Sequence, residues 1–147
     1  MGNLLRGGCH CGSLTVEFAT DRQIGDIQVR ACQCAFCRTH SALSISDPQG
    51  SVLFRVEAAE RLSRYRFGLK LSDFLVCTRC GGYVGTFMPG ESDTRGLAVV
   101  NLNCLADRDR FRASEPMVYE GETTEQRLAR RRERWMPARL EVQASAR

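Results

Sequence analysis

Seven of the eight cysteines fall in three short stretches: Cys9-x-Cys11 in GGCHCG, Cys32-x-Cys34-x-x-Cys37 in ACQCAFCRTH, and Cys77-x-x-Cys80 in LVCTRCGGYVG; Cys104 stands apart. Sulfurs grouped this tightly suit a soft divalent cation, which takes two ligands from one turn and two from another. A disulfide framework spreads its partners instead. The N-terminal MGNLLRGGCHCG carries no apolar run of the secretory kind and no stretch approaches a membrane span, so the expected compartment is the cytosol, with no membrane partner. Reduced thiols there favour metal ligation. Zinc is the expected ion; redox-active CxxC chemistry is the main competitor, and it needs a metal-free thiolate.

LVCTRCGGYVG reads as a knuckle, with Gly81 placed to take the positive φ that such a turn often needs. One knuckle supplies two ligands, so Cys77 and Cys80 need a partner pair, either Cys9 and Cys11 or part of the central cluster. Counting favours a division of seven thiols into four and three. Cys32, Cys34 and Cys37 would then hold a second ion with three protein ligands and one exchangeable position, the usual arrangement of a catalytic zinc. The competing reading closes that site with His40, one helical turn beyond Cys37, or with Cys104, expected on a strand as a small core residue. His10, between two candidate ligands, is expected to be exposed.

Such sites need a scaffold, and the surrounding sequence is mostly alternating. SLTVEF, DIQVRA, ALSIS, SVLFRV, DFLVC, YVGTFM and GLAVVNLN, separated by Gly-, Pro- and Asp-rich turns, predict six to eight strands and a mostly β domain. TTEQRLARRRERWMP predicts one C-terminal helix, with Thr123 and Gln126 as a capping box and Pro137 as its stop. Its apolar stripe is only Leu128 and Trp135, so it is expected on the surface, anchored by Trp135 with its arginines solvated. The expected organisation is a zinc domain over 1–120, with a basic helix and tail over 121–147 packed on it and EVQASAR frayed at the end. The formal charge of +4 is concentrated in that helix and tail, leaving the body near neutral. Phe36, Phe74, Tyr83 and Phe87 could wall a pocket or simply fill the core.

GGCHCG, CQCAFCR, FLVCTRCGGYVG and VVNLNCLAD, in this order and spacing from Gly7 to about Asp107, resemble the glutathione-dependent formaldehyde-activating enzyme family, also called the centromere-protein-V-like family. The resemblance implies a β-tent fold of several coiled sheets with two zinc ions. It implies a structural zinc on Cys9, Cys11, Cys77 and Cys80, and a catalytic zinc on Cys32, Cys34 and Cys37 with an open position, leaving His40 and Cys104 outside the ligand set. It also implies a carbon–sulfur lyase-type activity of the S-(hydroxymethyl)glutathione synthase kind, with glutathione or another small thiol and formaldehyde or a related aldehyde as partners. Arg38, directly after the cluster, could screen the charge of the centre or contact a glutathione carboxylate. The alternative is a non-enzymatic zinc module touching nucleic acid or an acidic partner through the Arg-rich helix, although a charge run is usually a solvated face.

Overall fold

In a computed structural model that describes residues 2–144, the chain is mostly β. In chain order the strands are β1 (Asn3–Gly8), β2 (Leu14–Thr20), β3 (Arg30–Cys32), β4 (Ser44–Ile45), β5 (Ser51–Val56), β6 (Leu62–Tyr65), β7 (Asp73–Cys77), β8 (Tyr83–Ser92), β9 (Arg95–Asn101), β10 (Glu115–Met117) and β11 (Met136–Val142). The helices are α1 (Ala35–His40) and α2 (Thr124–Arg134). All eleven strands share one hydrogen-bonded network, running β1-β2-β5-β11-β9-β4-β3-β10, with β8, β7 and β6 branching from β9. The several sheets expected are thus arms of one forked sheet.

Period-two alternation builds the core as anticipated. Leu14, Val16 and Phe18 of β2, Val52, Phe54 and Val56 of β5, and Ala98 and Val100 of β9 are all buried, because successive strand residues face opposite sides.

Four expectations need correction. The segment after α2 is a central strand: β11 pairs in parallel with β5 and antiparallel with β9, burying Met136, Ala138 and Leu140. Pro137 stops the helix without barring a strand, since pairing with β5 begins only at Ala138. Of the tail expected to fray, Glu141 and Val142 end β11, and residues 145–147 lie outside the described residues. DIQVRA gives only β3; Ile24–Asp26 forms a 3-10 turn, and Ile27 and Val29 are buried in extended chain outside any strand. Finally, β9 ends at Asn101, whose side chain caps a 3-10 turn at Leu102–Cys104, so Cys104 is not on a strand.

Two local features position the cysteines. The β1–β2 hairpin turns through Cys9 and Cys11, with the Cys9 and Gly12 backbone N–H groups donating to Leu14 O and Cys9 O. β3 runs directly into α1, whose N-cap is Cys34. Among the described residues no helix is long and apolar enough to cross a membrane.

Candidate metal centres and cavity

The sulfurs of Cys9, Cys11, Cys77 and Cys80 all lie within 4.8 Å of one another. Zinc–sulfur bonds of about 2.3 Å at tetrahedral angles put neighbouring sulfurs about 3.8 Å apart. The Cys9–Cys11 and Cys11–Cys77 separations are 3.8 and 3.6 Å, so the donor set fits a tetrahedral ion. The knuckle has the hydrogen bonding such an ion needs, because the backbone N–H groups of Arg79 and Cys80 donate to Cys77 Sγ and that of Leu14 to Cys9 Sγ. Gly81 has φ 79°, and a Cβ on Gly82 would stand 2.9 Å from Cys9 Cβ. Both positions therefore call for glycine. Burial pushes the Cys9 thiol up to about 11, a shift that a bound cation would oppose.

The sulfurs of Cys32, Cys34 and Cys37 form a second group within the same limit, and neither His40 nor Cys104 belongs to it. His40 Nδ1 sits 2.9 Å from Phe36 O, with its exposed ring stacked on Phe36. The Cys104 thiol is directed to Val84 O and packs against the main core, where burial pushes it up to about 12. In the group itself, a hydrogen bond from the Cys37 thiol pushes Cys32 down to about 5, and the same bond together with burial pushes Cys37 up. Three sulfurs this close cannot all ionise alone, whereas a divalent cation would let them. The Cys37 N–H donates to Cys34 Sγ, and the turn after α1 closes with the Ala42 N–H on Cys37 O.

This second group forms part of the wall of a cavity of about 560 Å³. Phe67, Phe74 and Tyr83 supply an aromatic side, with Phe36 packed behind them at 4.6 Å from Phe74 and 5.0 Å from Tyr83 between ring centroids. Phe87, by contrast, is wholly within the main core. The lining also carries four arginines: Arg30 from β3 and Arg127, Arg130 and Arg131 from α2. Arg38 is exposed on α1 and does not line the cavity. The expectation that the α2 arginines are solvated is therefore wrong for three of them. Arg127 and Arg130 bond Glu122, and Arg131 is buried against Trp135, its guanidinium carbon 4.3 Å from the ring centroid.

From sequence, Arg30 has no assigned role and Arg127, Arg130 and Arg131 read as a solvated basic face, although two signals of an inward placement are present. Arg30 stands two residues before Cys32 on one strand, so both side chains share a face. Arg127, Arg130 and Arg131 follow the i, i+3, i+4 spacing of one helix face, the face that an apolar stripe would otherwise occupy. His10 is exposed, as expected.

Comparison with known proteins links the chain to a family model and to solved structures. The family model described as glutathione-dependent formaldehyde-activating enzyme matches residues 4–121. A crystal structure of a Rhodobacter sphaeroides protein, a structural genomics target, superposes with TM-score 0.52 at 27% identity, covering 76% of this chain and 97% of the other. A search of the curated proteins gives no match.

Proposed function

The chain belongs to the glutathione-dependent formaldehyde-activating enzyme family, and from that premise we propose that it is a zinc-dependent carbon–sulfur lyase-type enzyme. Its substrate would be an adduct of formaldehyde or a related small aldehyde with glutathione or another small thiol. The observation that supports this most is the three-sulfur group of Cys32, Cys34 and Cys37 at the wall of a 560 Å³ cavity, with His40 and Cys104 engaged elsewhere. A zinc ion held there by three thiolates would keep one position for a substrate sulfur and lower that thiol's pKa.

The reaction forms one carbon–sulfur bond between thiol and aldehyde carbon, and the thiol proton ends on the former carbonyl oxygen. Its reverse breaks the same bond. The chain's own contribution is placement. Phe74 and Tyr83 wall the space beside the sulfurs, and α1 fixes Cys34 and Cys37 one turn apart. Because the addition is facile in water, proximity would supply most of the rate gain. In this reading Cys9, Cys11, Cys77 and Cys80 hold a structural ion that joins the first hairpin to the β7–β8 turn.

The test is the rate of S-hydroxymethylglutathione formation from glutathione and formaldehyde, followed by NMR above the uncatalysed background. Zinc-loaded protein should exceed background, and Cys34→Ser should remove the excess while the zinc count falls from two to one. A wild-type rate equal to background would refute the reading for this thiol and aldehyde.

A further inference from the structure

The cavity holds more positive charge than its surroundings balance. Arg30 and Arg131 are 8% and 7% exposed, and among the described residues neither is ion-paired with a carboxylate. Arg30 donates to Ser46 Oγ at 2.7 Å, and Ser46 in turn donates to Arg134 O. Arg131 donates from one terminal nitrogen to Ser72 Oγ at 3.2 Å, while its buried Nε has no partner. Buried guanidiniums are expensive unless paired, and an unpartnered buried N–H more so.

Charge counting sharpens the point. Of the four guanidiniums in the cavity wall, Glu122 offsets one through its bonds to Arg127 and Arg130. A three-thiolate zinc centre, net −1, would offset another. Two positive charges remain, and Lys70 and Glu120 at the rim cancel each other. Ser46, Ser72 and Trp135 hold the two buried side chains in place, so a ligand meets them preorganised.

The geometry points to an anion subsite: Arg30 and Arg131 receive a carboxylate of the thiol substrate, making the cavity selective for carboxylate-bearing thiols over neutral ones. This rests on the reading of Cys32, Cys34 and Cys37 as a thiol-binding zinc centre, and it names the residues that select among thiols at that site. Arg131 lies beyond residues 4–121 matched by the family model. Selectivity is thus completed by a helix outside the matched region. Arginine suits the task because its planar fork meets a carboxylate with two parallel hydrogen bonds.

The experiment is calorimetric titration of the zinc-loaded full-length chain with S-methylglutathione, whose blocked sulfur isolates the carboxylate contribution, and with its diethyl ester. A charge-assisted hydrogen bond to a carboxylate supports at least about a tenfold preference for the acid over the ester. Arg131→Met and Arg30→Gln should each weaken acid binding about tenfold or more and leave ester binding unchanged. Native mass spectrometry should find the wild-type zinc count in both, and exposed Arg132→Met should bind like wild type. Equal affinity for acid and ester, no detectable binding of the acid, or a preference that survives both arginine variants would overturn the subsite. The lyase reading fails on a separate readout, the rate of adduct formation, so the two can be told apart.

Discussion

At the scale of single residues, one amino acid type does opposite jobs in neighbouring places. Arg132 and Arg134 face solvent, whereas Arg131 on the same turn is buried with its charge pushed down to about 10, chiefly by desolvation. A depressed pKa on a cationic group means that the charged form is disfavoured in the fold, so below the folded pKa the burial penalises stability, and it still does so at neutral pH. Arg131→Met, which keeps the volume and removes the charge, should therefore raise the unfolding free energy by about 1–3 kcal/mol while weakening anion binding. Urea titration of zinc-loaded protein checks this, and a clear loss of stability would show Arg131 to be mainly structural. The cysteines were legible from sequence because their spacing is itself the chemistry. The arginines were not, because a run of like charges reads as a solvated face until the direction of the helix face is known. The same reasoning explains Arg38: adjacency to Cys37 in sequence put it near the cluster, but α1 turns it to solvent.

At the scale of elements, strands with clean alternation such as β2, β5 and β9 were evident in sequence, and so was the capping box of α2, where Thr123 and Gln126 exchange both hydrogen bonds. β11 was hidden because Pro137 follows a helix and reads as a terminator, although Met136, Ala138 and Leu140 carry the same alternation as the other core strands. Its position between β5 and β9 has a direct consequence. A chain ending at residue 121 should lose cooperative folding, since both neighbours would become open edges with exposed apolar faces. Far-ultraviolet circular dichroism and soluble yield measure this; a folded, soluble fragment would contradict the central placement of β11. The β7–β8 turn is equally sensitive. Gly82→Ala would push a methyl group into Cys9 Cβ, so it should lower the melting temperature and the affinity of the four-sulfur centre for zinc, whereas Gly25→Ala, where a Cβ meets nothing, should change neither binding nor fold.

At the scale of the whole molecule, the two sulfur groups differ in what they join. Cys9 and Cys11 sit at the β1–β2 end of the sheet and Cys77 and Cys80 at the β7–β8 branch, with β5, β11 and β9 between them along the hydrogen-bonded path. An ion on those four sulfurs closes that path into a ring; the three-sulfur group opens on a cavity between β3, α1 and α2. A chelator should accordingly remove zinc in two phases, the three-sulfur site first with the fold intact, and the four-sulfur site later with unfolding. Zinc release and ellipticity recorded together would reveal this, and simultaneous loss would contradict two separate roles. With Arg127, Arg130 and Arg131 turned inward, the exposed Arg132 and Arg134 of α2 are balanced by exposed Glu125 and Glu133, so the full chain should not bind duplex DNA at moderate salt; salt-sensitive binding would revive the nucleic-acid reading. The most direct test of the account is the visible absorption spectrum of cobalt-substituted protein titrated with glutathione. The account predicts that half of the cobalt signal, that of the three-sulfur site, changes in a saturable way as a fourth sulfur joins, and that Cys34→Ser abolishes the response. A spectrum unmoved by glutathione and by every other small thiol would mean that no exchangeable thiol position exists.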